Sequence, residues 1–207
     1  MFPYLGNFKE ILPYDEIINF YENTPLNQWD VLCSALENHL YEYRPYNEKF
    51  QTQFYGVHNS KHNSLVVTNK DFFPDAWFKK VKAKKKGYVA KLFHTKPGTI
   101  EPPHKDFFPS FLNNINPDNH EPITENNIEE VGRKIIRCWI PLTDSALGHL
   151  LFSENYCLSS WKQGDVFELP SGNTHGFANA GSTHRYLLVF TAWRNNHAID
   201  AYNFSII

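Results

Sequence analysis

The chain has 207 residues, with 20 Lys and Arg against 22 Asp and Glu, for a formal net charge of -2. That length is enough for one domain with a sizeable apolar centre, and the near-balanced charge argues against a dedicated nucleic-acid surface, which clusters Lys and Arg. Three cysteines, Cys33, Cys138 and Cys157, form no CxxC spacing, which speaks against a disulfide framework or a zinc knuckle and for reduced thiols in a cytosol.

The opening MFPYLGNFKEILPYDE lacks a basic start followed by an apolar run, and no later segment approaches the roughly 20 apolar residues that span a bilayer. A cytoplasmic protein with no membrane partner is the expectation. Residues 14–42 read as two helices. Ile17, Ile18, Phe20 and Tyr21, then Val31, Leu32, Ala35, Leu36 and Leu40, recur at spacings of three and four, with Pro25 and Asn27 between the runs. From Lys49 to Asn69 the pattern is extended and ends in the strand-like SLVVTN. DFFPDAWFKKVKAK follows as a short helix with Pro74 near its start, where a missing N–H costs little. The basic run Lys79 to Lys86 reads as a solvated helix end or loop rather than a binding patch, since no second basic cluster supports one.

After Gly87 the texture becomes β. GYVAKLFHT, KIIRCWIPL, HLLFS, CLSSW, DVFELP and RYLLVFTAW are short, rich in β-branched and aromatic residues, and bounded by turn formers. The fold class is therefore mainly β with N-terminal helices, a double-stranded β-helix of the jelly-roll or cupin-type barrel kind. The chain reads as a single domain, 1–207. Residues 1–86 are a helical and mixed part packing on the barrel, 87–194 the core, and 195–207 a tail. One Asn- and Pro-rich stretch, 107–132, interrupts the strands, and a loop this long is functional or disordered. Gly164 and Asp165 are expected to make a hairpin turn, and Trp161 and Trp193 to pack the core.

The chemistry concentrates in two strings. IEPPHKDFF places His104 and Asp106 two apart, so that in an extended segment both side chains leave one face and converge on one ion, while Lys105 points away. ELPSGNTHGFANAG supplies His175 as a third ligand. Two imidazoles and one carboxylate with the other octahedral positions open suit iron(II) that must also bind an oxidant and a cosubstrate. Zinc would more often take tetrahedral closure around one water. Arg185 follows His175 by ten residues. A five-carbon dicarboxylate that chelates iron through its keto acid needs a cation at its far end, and a guanidinium grips a carboxylate with two parallel N–H bonds. In the strand RKIIRCWIPL, Arg133, Arg137 and Trp139 share one parity, and Arg137 is the candidate for a second contact to the cosubstrate. His149, His184 and His197 have no evident partner and read as surface or locally hydrogen-bonded residues.

HKD, then RKIIRCWIPLTD, GHLLF and WKQGDVFELPSGNTHGFANAGSTHRYLLVFTAW, resembles the aspartyl/asparaginyl β-hydroxylase-like branch of the 2-oxoglutarate-dependent oxygenases. The resemblance covers roughly residues 88–194 and is most specific in the ordered set Trp161, Gly164, Asp165, Phe167, His175, Asn179, Arg185 and Trp193. It implies a double-stranded β-helix with iron(II) near the barrel mouth. His104, Asp106 and His175 match the metal ligands, and Arg185 matches the arginine that pairs with the C5 carboxylate of 2-oxoglutarate. The animal aspartyl hydroxylases lack an acidic ligand, so Asp106 aligns the chain with the HxD-bearing members, which hydroxylate protein side chains or free amino acids such as proline. The implied activity is hydroxylation of a small-molecule or peptide substrate. Two alternatives stand beside it: another metal-dependent cupin enzyme, which would not need Arg185, and a non-catalytic binding module.

Overall fold

Side-chain alternation along one long strand organises the molecule. The computed structural model describes residues 3–24, 62–66, 72–104, 132–170 and 173–195. Within it Arg185–Trp193 is a strand whose Leu188, Phe190 and Ala192 enter one apolar layer while Leu187 and Val189 enter another. Successive strand residues face opposite sides, so a strand buried on both faces must be apolar almost throughout, as RYLLVFTAW is.

In chain order the described elements are β1 (Tyr4–Asn7), α1 (Tyr14–Glu22), β2 (His62–Val66), α2 (Asp75–Lys80), β3 (Val89–Thr95), β4 (Thr99–His104), β5 (Ile135–Pro141), β6 (His149–Ser153), β7 (Tyr156–Leu158), β8 (Asp165–Glu168), β9 (His175–Asn179) and β10 (Arg185–Trp193). They form a six-stranded sheet in the order β1-β8-β5-β10-β3-β2 and a four-stranded sheet in the order β4-β9-β6-β7. Every pairing between them is antiparallel. The mainly β class expected from the sequence is what the chain forms. Strands from before Gly87 complete both edges of the larger sheet.

One layer of core lies between that sheet and the helices. Phe190 from β10 meets Phe73, Trp77, Phe78 and Tyr88 at ring centroid separations of 5.1–5.8 Å, and burying each large ring contributes roughly 1.5–3 kcal/mol. α1 adds Tyr14, Ile17 and Tyr21, buried at spacings of three and four. It ends at Glu22 with Asn23 as its C-cap, and the second helical run expected up to residue 42 lies outside the described residues. α2 follows Pro74 as expected, with Lys79 and Lys80 in its last turn, where cations suit the helix dipole. Among the described residues no helix is long and apolar enough to cross a membrane.

The second layer lies between the two sheets. Trp139, Phe167, Leu187 and Val189 of the larger sheet meet Leu151 and Phe177 of the smaller one, with Trp161 beside them. Trp161 and Trp193 are both buried, as expected of packing residues. The turn expected at Gly164 and Asp165 is present, with Gly164 at φ +89°. It is not a hairpin, because β7 before it belongs to the smaller sheet and β8 after it to the larger. The chain changes sheets there.

Candidate functional site

His175 opens β9 and is 4% exposed. Its position is fixed from three sides. Its Cα partners are Ser153 on β6 and His104 on β4, and a register shift between Glu101 and His104 is what brings His104 opposite it. Its ring meets Trp139 edge-on at 5.7 Å. Its Nδ1 lies 2.9 Å from the Asn173 carbonyl oxygen, an acceptor only, so Nδ1–H donates and Nε2 keeps its lone pair. That tautomer is the one a metal-ligating histidine adopts when a backbone carbonyl orients it. The preceding turn is tied by Glu154, whose N–H donates to the Thr174 carbonyl at 2.7 Å and whose Oε1 accepts from the Thr174 N–H at 2.6 Å.

Of the remaining expected ligands, His104 is placed by its backbone alone, opposite His175. Asp106 and the His104 side chain lie outside the described residues. Among the described residues, no group of three His, Cys, Asp or Glu is gathered.

Arg185 begins β10 on the inward face, across the gap from β9, and is 1% exposed. Its Nη2 donates to the Thr95 hydroxyl at 2.9 Å, its Nη1 to the Leu150 carbonyl at 3.4 Å, and its guanidinium lies 4.3 Å from the Phe177 ring centroid. Among the described residues no carboxylate pairs with it, and its Nε is buried without a hydrogen-bond partner. Burial alone pulls its pKa down to about 9, which still leaves a cation at neutral pH. A buried, unpaired charge is costly, and the natural remedy is an anion. The hydroxyl of Thr99 is likewise buried without a partner. Neither Thr95 nor Thr99 stands out in the sequence, because nothing local separates them from any other strand threonine.

The turn leading into Arg185 is held by Asn179, whose Nδ2 donates to the carbonyls of Thr95 (3.0 Å) and Thr183 (2.8 Å). His149 stacks on Trp161, accepts the Ala146 N–H at Nδ1, and sets its Nε2 3.2 Å from the Thr183 carbonyl oxygen. Burial lowers its pKa, the Thr183 carbonyl opposes that, and the Arg185 charge adds to the lowering. His149 is thus a locally hydrogen-bonded residue, as its sequence setting suggested. So is His184, whose Nδ1 meets His94 Nε2 on the outer face of the larger sheet.

Arg137 stands well apart from Arg185 along the gap. Its parity is the inward one, shared with Trp139, but its Cα partner is Thr191, whereas Arg185 pairs with Thr95. Thr191 is six residues along β10 from Arg185, or about 20 Å at a strand's rise per residue. The two arginines therefore cannot hold one end of a five-carbon acid together. Parity fixes the face of a strand, and only register fixes the position along it.

No protein-family model matches the chain, and neither does any curated protein. Solved structures that are similar to it include a predicted oxalate decarboxylase from Thermotoga maritima, 14% identical over 64% of this chain and 80% of that one with a TM-score of 0.35. A Cupin 2 conserved barrel domain protein from Salinispora arenicola is 13% identical over 72% and 87%, TM-score 0.35. A cupin superfamily protein from Desulfitobacterium hafniense is 11% identical over 66% and 82%, TM-score 0.36. At these TM-scores and identities nothing about this chain is argued from the likeness.

Proposed function

We propose that this chain is a non-haem iron(II) oxygenase that uses 2-oxoglutarate as cosubstrate, built on a double-stranded β-helix over residues 87–194. The observation that carries the reading is Arg185, a cation buried between the sheets with an orphaned Nε and, among the described residues, no acid within ion-pair distance. A dicarboxylate tail supplies the missing charge. The orphaned Thr99 hydroxyl and the Thr95 hydroxyl, which accepts from Arg185 and keeps its own proton to donate, suit the same tail.

In this reading His104, Asp106 and His175 hold the iron, and Arg185 fixes the far end of 2-oxoglutarate. The donor set fits, since two neutral imidazoles and one hard carboxylate suit iron(II) with open positions, and with Nδ1–H on the Asn173 carbonyl the neutral His175 ring would ligate through Nε2. Bound iron(II) supplies the oxidising chemistry, in which dioxygen gives one atom to succinate, formed with carbon dioxide, and the other to the hydroxyl of the product. Trp139, Phe177 and Leu187 wall the gap between Arg185 and His175 and keep water from it.

Anaerobic titration with iron(II) and then 2-oxoglutarate tests the reading. The expected result is a weak visible charge-transfer band and, once oxygen is admitted, succinate release. Iron binding with no band and no succinate would leave a metal-dependent enzyme of another class. Binding of neither would leave a non-catalytic module.

A further inference from the structure

Arg185 faces inward between two outward-facing neighbours on β10, His184 and Tyr186, and both of these touch one residue of β3, His94. Tyr186 stands opposite His94 in register and stacks on it, with ring centroids 4.7 Å apart and planes 5° apart. His184 sets its Nδ1 2.5 Å from His94 Nε2. The centroids of those two rings are 4.8 Å apart, which is the nitrogen separation plus one ring radius on each side, so the two nitrogens point straight at each other. Two imidazoles on one metal ion would aim at a point off that line, with nitrogens roughly 3 Å apart or more for metal–nitrogen bonds of about 2.0–2.1 Å. A single proton between the nitrogens fits instead. From α1, Tyr21 brings its hydroxyl 2.9 Å from His94 Nδ1, and the Tyr186 hydroxyl donates to Glu22 at 2.8 Å.

Directly behind this outer cluster lies the inward pair, because successive strand residues face opposite sides. Thr95 follows His94, stands opposite Arg185, and accepts its Nη2–H at 2.9 Å. β5 pairs with β10 in register only from Leu187 onward, so at Arg185 itself the neighbour in the sheet is β3 alone. We infer that His94 and His184 share one proton as a clamp that positions Arg185, and that this clamp sets the affinity for the dicarboxylate Arg185 holds. The inference rests on the oxygenase reading above, which makes that dicarboxylate 2-oxoglutarate. A guanidinium grips a carboxylate with two parallel bonds only in a narrow geometry, so a shift of β10 by a fraction of its strand spacing is enough to weaken the grip. Burial, then the charges of His184 and Lys96, hold the His94 pKa down to about 4 against Glu22. At neutral pH His94 is therefore the uncharged member, and no second proton forces the two nitrogens apart.

The test uses the full chain loaded anaerobically with iron(II) and titrated calorimetrically with 2-oxoglutarate. His184 is exposed, so His184→Ala leaves the core intact. It should weaken 2-oxoglutarate binding at least fivefold while iron(II) affinity stays within twofold. His184→Asn, whose amide oxygen falls where Nδ1 was, should recover most of the loss. In the wild type with isotope-labelled histidine, magnetic resonance should show a nitrogen–nitrogen coupling across the shared proton, absent from His184→Ala. Unchanged 2-oxoglutarate affinity in His184→Ala, an equal loss of iron(II) affinity, no recovery in His184→Asn, or no coupling in the wild type overturns the inference. The coupling is read without either ligand. Should it be present while 2-oxoglutarate fails to bind the iron-loaded wild-type chain, the oxygenase reading fails and takes the positioning role with it.

Discussion

Arg185 makes its shortest hydrogen bond, 2.9 Å, to the neutral hydroxyl of Thr95 and not to a carboxylate. A cation that is 1% exposed with only neutral partners among the described residues is a group held at a cost to the empty protein. Replacing such a charge by an apolar side chain of similar length removes the cost of keeping it out of water. Arg185→Met is therefore expected to raise the melting temperature of the ligand-free chain by a few degrees while abolishing the upward shift that 2-oxoglutarate and iron(II) give the wild type. Thermal melts with and without the two ligands read both effects. A variant that melts lower than wild type when empty would show that the charge has a structural partner.

Gly176 follows His175, one of the proposed metal ligands, and packs directly against β4. A Cβ there would lie 2.5 Å from the Phe152 ring and 2.6 Å from the Glu101 carbonyl oxygen. The ring can swing aside, but the carbonyl belongs to β4, the strand that carries His104 opposite His175. Gly176→Ala should push β4 away from β9, costing about 1–3 kcal/mol as overpacking does and weakening iron(II) binding by more than tenfold. Metal titration of the variant checks it. Undiminished affinity would mean that His104 and His175 do not share an ion.

Much of this was legible in the sequence, and what was not has particular physical causes. β6 and β10 fall on HLLFS and RYLLVFTAW because an apolar run bounded by turn formers has few other readings. β1 was invisible because its pairing with β8 shifts register between Tyr4 and Gly6, with Gly6 at φ +123°, and a bulged four-residue edge strand carries no period. Arg185 stood out by its spacing from His175, whereas its burial between the sheets could not be read from that spacing. The separation of Arg137 from Arg185 was not legible, because composition cannot tell which end of β10 a neighbouring strand residue meets. Thr95 and Thr99 became candidates only once burial and missing partners could be seen.

His94 predicts an acid sensitivity separate from the proposed metal site. It is 8% exposed, with Nδ1 2.9 Å from the Tyr21 hydroxyl and Nε2 2.5 Å from His184 Nδ1, and its ring stacks on Tyr186. Burial first, then the charges of His184 and Lys96, lower its pKa to about 4, with Glu22 opposing. Between about pH 4 and the ordinary histidine value near 6.5, the unfolded chain binds a proton that the folded chain does not. Stability is thus fully present above pH 6.5 and falls as the pH drops toward 4. The loss is on the order of 2 kcal/mol after allowing for partial solvent screening. His94→Phe keeps the stack and should flatten that part of the stability profile in urea titrations. An unaltered profile would assign the acid sensitivity to other groups.

Glu168 and Arg194 form a buried ion pair across β5, with side chains 6% and 7% exposed. Arg194 Nε also donates to the Arg133 carbonyl at 3.2 Å. Cys138 stands opposite Glu168 in register, and burial, followed by the Glu168 charge, pushes its thiol up, so it remains protonated and supplies no countercharge. Removing one member strands the other in a low-dielectric site, at roughly 3–5 kcal/mol. Removing both leaves no bare charge. Arg194→Met is therefore expected to destabilise strongly, and Arg194→Met with Glu168→Leu considerably less than the sum of the two single changes, a coupling that a double-mutant cycle in urea measures directly. Strict additivity would show that the two groups are stabilised independently, each by its own backbone contacts, and that the pair does not tie β8 to the end of β10.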